Sequence, residues 1–293
     1  MLTAQTLQEI LDCIAVKTGD NSGFLSSRSV GGGSINHAYC LRTKHKTYFV
    51  KLNDALRFPG MFEAESKGLQ QLSAHRGPNV PQVIGTGIAG NNSYIVMDWL
   101  EPGKRKVDYF ENFGRALAEL HGNNQNSFGL DHDNYIGSLP QSNRKHVSGS
   151  EFFIEERLLP QAEAAFASGA IPSAAAKEFE SLLKIIPLLL PDEKPALLHG
   201  DLWNGNVVSG PDGNAWLIDP AIYYGYRESD IAMTMLFGGF DQSFYNAYHE
   251  AFPLTGDWRS RVDLFNLYPL LVHVNLFGGS YVSQAMQILN KYR

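Results

Sequence analysis

Cysteine is scarce in the 293-residue sequence. Cys13 and Cys40 are the only two, too few for a disulfide framework or a Cys-based zinc site. A reduced compartment is the simplest expectation. A basic surplus is also missing: Lys plus Arg is 24 against 30 Asp plus Glu, a formal net charge of −6. A dedicated nucleic-acid binder needs a basic face, so that class is set aside. No long hydrophobic run occurs either. The most apolar stretch, Val262 to Phe277, is broken by Asp263, Asn266, Pro269, His273 and Asn275. A spanning helix needs about 20 mostly apolar residues, so this stretch reads as a buried core helix kinked at Pro269. The first fifteen residues lack a basic start followed by an apolar segment, which argues against a secretory leader. The expected location is cytoplasmic, with neither a membrane nor a nucleic acid as partner. What is abundant is hydrophobic residues, 44% against 18% charged, a globular rather than a disordered composition. At about 150 residues per domain, the length suggests two domains or lobes.

Periodicity divides the chain into two textures. Thr3 to Ile14 places Leu7, Ile10, Leu11 and Ile14 at helical spacing. Short β-type runs follow: FLSSRSV, HAYCLRT and TYFVKL, separated by Gly31–Asn36 and by the polar turn Lys44–Lys46. Met61 to His75 is expected to be helical, and Gln82 to Gly87 and Ser93 to Trp99 to be strands. The first third is therefore a sheet of about five strands with one important helix, an α+β unit. Pro102 and Gly103 punctuate its end. Helices are expected at Tyr109–His121, Ser150–Ala170 and Ser173–Leu190, and again from Glu228 onward. A β interlude, Ala196 to Pro220, carries a hairpin between VVS and AWLID. The resulting division is a β-rich lobe at 1–98, a hinge at 99–103 and a mainly helical lobe at 104–293. Ligands favour such junctions.

The strongest chemical signal is Leu197-Leu198-His199-Gly200-Asp201-Leu202-Trp203-Asn204-Gly205-Asn206. Phosphoryl transfer needs a carboxylate to orient and deprotonate the attacking hydroxyl, with a nearby amide oxygen holding Mg²⁺ against nucleotide phosphates. Asp201 and Asn206 fit those parts, and Asp219, ending AWLID, fits the second metal ligand; Mg²⁺ needs few protein oxygens. The plainer alternative makes them turn residues, since Asp, Asn and Gly dominate turns. Lys51 ends an apolar strand that would not ordinarily carry an inward lysine. Such a lysine pairs with nucleotide phosphates and is positioned by a helix glutamate. Glu65 shares the apolar face with Met61, Leu69 and Leu72, where an unpaired carboxylate is costly; Glu63 is the competitor, and snorkelling of Lys51 at a strand edge is the alternative.

Other segments carry weaker signals. The run Gly31-Gly32-Gly33-Ser34 lets backbone amides approach phosphate oxygens, or is simply a flexible hairpin. Backbone groups at Asp98 and Leu100 suit the edge of a purine, with Met97 at the back of its pocket; an ordinary strand leading into a linker is the alternative. Trp203, Tyr223 and Tyr224 suit stacking on a sugar face, although aromatics are more often core. Asp230 opens a helix and either anchors the loop at 199–206 from below or caps the helix.

Taken together, Gly31–Asn36, Phe49–Asn53, Glu65 in E-x-x-G-L-x-x-L, HGDLWNGN at 199–206 and DPAIYYGYRESDIAMTMLFGGF at 219–240 resemble the fructosamine kinase (ketosamine-3-kinase) family. HGD-x-x-x-x-N alone marks a superfamily; the longer motifs are much narrower, and the likeness spans nearly the whole chain. The resemblance implies a bilobal protein-kinase-like fold related to aminoglycoside phosphotransferases. It implies Asp201 as base, Asn206 and Asp219 as Mg²⁺ ligands, Lys51 with Glu65 as phosphate clamp, and Asp98-Trp99-Leu100 as adenine hinge. The implied reaction is ATP-dependent phosphorylation of the 3-hydroxyl of a ketoamine, the adduct of a sugar on an amine or protein lysine, which destabilises the adduct in a repair role. Ribulosamine and erythrulosamine kinases are the more similar members. Some relatives carry a cysteine in the glycine loop where this chain has Ser34, so redox control there is not implied. The rival readings are a small-molecule kinase of the aminoglycoside or choline type and a nucleotide-binding module without catalysis.

Overall fold

The computed structural model describes residues 2–31 and 35–292, and they form two compact units. One comprises residues 1–109 with 207–220, the other residues 110–206 with 221–293.

The first unit is built on a five-stranded antiparallel sheet of β1 (Phe24–Val30), β2 (His37–Thr43), β3 (Thr47–Asp54), β4 (Val83–Ala89) and β5 (Asn92–Asp98), in the order β1-β2-β3-β5-β4. Helix α1 (Ala4–Thr18) is capped by Thr3, whose hydroxyl accepts from Thr6 N–H, and buries Ile10 and Ile14 against the sheet. The helix runs a turn further than its apolar spacing suggests and stops at Gly19 in the left-handed conformation. Strand β3 shows the two-residue side-chain period at work. Tyr48, Val50 and Leu52 enter the core with α1, each worth about 2 kcal/mol of burial, and Phe49, Lys51 and Asn53 take the other face. Helix α2 (Met61–Ser73) buries Met61, Phe62, Leu69 and Leu72.

The hairpin of β9 (Val207–Ser209) and β10 (Ala215–Leu217) belongs with this unit, which corrects the division at 98–103. Gly103 N–H donates to Ser209 O, Lys106 N–H to Gly213 O and Leu217 N–H to Asn79 O, at 2.8 to 3.1 Å. These backbone bonds tie a segment distant in sequence to the β-rich unit, and the unit itself runs on to residue 109.

The second unit is mainly helical: α3 (Tyr109–His121), α4 (Gly149–Phe152), α5 (Leu159–Ala167), α6 (Ala176–Leu189), α7 (Glu228–Leu236), α8 (Gln242–Ala251), α9 (Trp258–Phe277) and α10 (Ser280–Lys291). A π-helical stretch, Phe153–Leu158, joins α4 to α5. It places Arg157 in the interior over the rings of Tyr223 and Phe152, with its amino groups donating to Ser142 O, Glu156 O and Asn143 Oδ1. Two small sheets complete the unit: β6 (Asn134–Ile136) with β7 (Leu139–Gln141), and β8 (Ala196–Leu198) with β11 (Tyr223–Gly225). Helix α9 continues through Pro269 with most of its middle buried, and among the described residues no helix is long and apolar enough to cross a membrane.

Candidate active site

In the β-rich unit, Lys51 projects from β3 to a carboxylate on each side. Its Nζ donates to Glu65 Oε1 at 2.7 Å and to Asp219 Oδ1 at 2.6 Å. The lysine and Glu65 side chains are 6% and 10% exposed, and that of Asp219 is 45% exposed. Burial alone would drive the lysine pKa down, but the two carboxylates outweigh it and hold the ammonium above its ordinary value. Glu65 is pushed above the usual carboxylate range because its own burial exceeds the help from Lys51. The helix glutamate is therefore Glu65; Glu63 leaves one buried carboxylate oxygen without a partner among the described residues. Asp219 has φ 55, the only non-glycine residue described with a positive φ.

Beside this ion triad lies a cavity of about 370 Å³ in the same unit, walled by Val30, Phe49, Met97, Trp99, Val208 and Ile218, with Asp219 at its edge. Its size suits a small planar heterocycle with mostly apolar walls. Arg28 stacks on Trp99 at 5.2 Å, and Lys46 pairs with the Asp98 carboxylate at 2.8 Å. The Asp98 N–H donates to Gln82 O at 3.0 Å, so at that residue the amide is engaged and only the carbonyl is a candidate for a base edge. Leu100 lines the cavity. Of the glycine run, Gly31 is described and exposed; Gly32, Gly33 and Ser34 lie outside the described residues.

In the helical unit, the loop after β8 is held by one buried carboxylate. Asp230 accepts from His199 N–H at 2.7 Å, Gly200 N–H at 2.9 Å and His121 Nε2 at 3.2 Å. It is an anchor beneath the loop rather than a plain helix cap. Its burial would raise the carboxyl pKa, and the His121 hydrogen bond and charge with the Gly200 amide overcome that and lower it. Gly200 sits so close to Ala221 O that a β-carbon there would lie 2.0 Å from it. Asn206 Nδ2 donates at 2.9 Å both to Asp201 O and to Asp201 Oδ2. These two hydrogen bonds from one amide nitrogen fix the rotation of the Asn206 side chain and hold Asp201 Oδ2.

Two expectations fail here. Tyr223 and Tyr224 are both 3% exposed; β11 carries them into the core, where the Tyr223 ring lies 3.9 Å beneath Arg157. Neither ring offers a face to a sugar. Trp203, in contrast, is half-buried and meets Phe237 edge to face at 5.5 Å. The aromatic residues that accompany it are Phe237, His273 and Tyr281, with His273 at 5.0 Å from Phe237 and 4.8 Å from Tyr281. Sequence reasoning missed these three because they come from separate segments, the turn after α7, helix α9 and helix α10.

The family model for fructosamine kinase matches residues 6–293. A Synechocystis protein named as a probable ketoamine kinase is 41% identical over 97% of this chain and 96% of its own length. A chloroplastic protein-ribulosamine 3-kinase of Arabidopsis thaliana is 37% identical over 90% of this chain and 81% of its own. A Haemophilus somnus protein, a candidate fructosamine-3-kinase in its crystal structure, superimposes with a TM-score of 0.89 at 29% identity over 97% of this chain and 96% of that one. At the level of fold alone, the aminoglycoside phosphotransferase APH(4)-Ia follows with a TM-score of 0.65 at 13% identity over 99% and 98% of the two chains. The fold is thus the α+β, protein-kinase-like one, and with a match over nearly its full length the chain belongs to the fructosamine kinase family.

Proposed function

We propose that this chain transfers the γ-phosphoryl group of ATP to the 3-hydroxyl of a ketoamine, with ribulosamine- or erythrulosamine-type adducts of amines or protein lysines as acceptors. The observation that carries the reading is the lysine held between Glu65 and Asp219 at the edge of an apolar cavity. That arrangement is what a nucleotide's α and β phosphates and its base require of a protein. Lys51 is the phosphate clamp and Glu65 its positioner. Adenine occupies the cavity, with the Asp98 carbonyl and the Leu100 backbone along its edge, Met97 behind it, Trp99 and Phe49 flanking it, and the glycine run Gly31 to Ser34 over the phosphates.

Asp201 takes the proton of the attacking hydroxyl as the new O–P bond forms and the bond from the γ-phosphorus to the bridging oxygen breaks, leaving ADP. Asn206 contributes by holding Asp201 Oδ2, so the base is oriented before substrate arrives. The amide oxygen of Asn206 and the half-exposed carboxylate of Asp219 are hard oxygen donors of the kind Mg²⁺ takes, and they are the residues that would hold it. Mg²⁺ supplies neutralisation of the charge on the transferring phosphates. Trp203 stacks on the sugar, two residues along the loop from the base. The comparison with the Arabidopsis ribulosamine kinase favours a ketoamine over an aminoglycoside as acceptor.

The test feeds the protein ATP and Mg²⁺ with ribulosyl-lysine or with kanamycin and measures ADP. Turnover of the ketoamine alone is expected. ADP release with kanamycin and none with any ketoamine would transfer the chain to the small-molecule kinases.

A further inference from the structure

The tetrapeptide Leu-Phe-Gly-Gly occurs twice, at 236–239 and at 276–279. Each copy ends a helix of the second unit: α7 stops at Leu236 and α9 at Phe277. The glycines of both copies have positive φ, 96° and 73° at Gly238 and Gly239, 63° and 61° at Gly278 and Gly279, a conformation other residues adopt only under strain. The two turns deliver their phenylalanines to one place. Phe237 lies 5.0 Å and Phe277 5.6 Å from the ring of His273, and Tyr281, in the first turn of α10, packs on His273 and lies 6.3 Å from Phe277. Because Phe237 also meets Trp203, a continuous aromatic wall leads away from the loop that carries Asp201. Its outer end is open: Phe277 is 54% exposed.

The wall carries no charge of its own. Residues 231–240 and 264–290 contain no Asp, Glu, Lys or Arg. His273 donates through Nδ1 to Pro269 O at 2.7 Å, and burial lowers its pKa, which favours the uncharged ring. Neither stretch offers a lysine or an arginine to a phosphate or a carboxylate. Aromatic faces without a competing cation instead suit an ammonium group and the methylenes attached to it.

Resting on the ketoamine reading above, we propose that the wall of Phe237, His273, Phe277 and Tyr281 is the subsite for the amine half of the acceptor, taking its secondary ammonium and the alkyl chain beyond. A ketoamine has that chemistry: C1 of the sugar carries a secondary amine, protonated at neutral pH, and in a glycated protein this nitrogen leads into the four methylenes of a lysine. With the sugar on Trp203, the nitrogen and its chain run outward past His273 to Phe277. The chain thereby selects for what the sugar is attached to, and a protein lysine reaches the base through its extended stem.

The experiment compares two acceptors, the ribulosyl adducts of N-α-acetyl-lysine and of methylamine, in the wild-type protein and in Phe277→Ala and Phe277→Leu. The ratio of kcat/KM for the lysine adduct to that for the methylamine adduct is expected to fall about fivefold in Phe277→Ala, and less in Phe277→Leu, which keeps apolar bulk but loses the ring. A second readout needs no turnover: calorimetric titration with hexylammonium chloride shows millimolar binding to the wild type, several-fold weaker in Phe277→Ala. An unchanged ratio, equal loss for both adducts, or hexylammonium binding indifferent to Phe277 would overturn the subsite. Hexylammonium binding that depends on Phe277 in a protein that phosphorylates no ketoamine would sink the acceptor assignment and leave the subsite standing.

Discussion

In the β-rich unit Lys51 is gripped by two carboxylates at 2.7 and 2.6 Å. In the helical unit the loop bearing Asp201 hangs by backbone amides from one buried aspartate. Charge holds the first arrangement, and in the proposed reaction its partners are exchangeable: phosphate oxygens arriving beside Lys51 would compete with Asp219, whose carboxylate is nearly half in solvent. Main-chain geometry holds the second, so the loop is shaped before any ligand binds, the condition under which oriented groups act most strongly on a transition state. One half of the chemistry is adjustable and the other is preset.

The largest expected effect falls on the preset half. Asp201→Asn keeps the hydrogen bond from Asn206 but loses the proton acceptor, so kcat is expected to drop more than about a hundredfold with nucleotide affinity nearly kept. Steady-state kinetics with a nucleotide titration check this, and an unchanged rate removes the role. Next comes the charge-held half. Lys51→Met leaves Glu65 buried without its cation and is expected to cost about 2–3 kcal/mol, discounted because Asp219 is well solvated. Adding Glu65→Gln to Lys51→Met is expected to recover part of that loss, and additive losses in chemical denaturation would mean the pair is not coupled. The smallest effect tests the anchor. Asp230→Asn is expected to cost about 1.5–2 kcal/mol near neutral pH. The folded-state pKa of Asp230 is depressed, so its contribution is complete above the ordinary carboxylate range and is lost as pH falls through the lowered value. The gap in melting temperature between wild type and variant should therefore close on acidification, and a gap independent of pH would contradict the assignment.

Much of this was legible in the chain. Alternation in TYFVKL marks β3 as a strand with one face in the core, and on the other face a lysine stands out because nothing solvates it. Glu65 is legible for the same reason on a helix, and so is the loop at 199–206, where carboxylate and amide are five residues apart. The hidden features are those made by distant segments. Strand β11 has only three residues, and its tyrosines read as a binding platform until pairing with β8 turns them inward. The hairpin at 207–220 joins the β-rich unit through backbone bonds to residues 79, 103 and 106, which no local pattern records. The π-helical stretch under Arg157 has no sequence signature of its own. The companions of Trp203 come from the turn after α7, from α9 and from α10, and of them only Phe237 lies in the tetrapeptide that occurs twice.

The backbone at Asp219 has a bearing on how variants of this chain should be screened. At φ 55 a glycine would sit with less strain than the aspartate, and Asn at least as well as Asp. Glycine there would relieve that strain but would also remove the carboxylate that, with Glu65, holds the buried Lys51 ammonium, so the two contributions to folding oppose each other. A heat-resistance screen at residue 219 therefore reads backbone strain against the ion pair, and turnover has to be assayed separately.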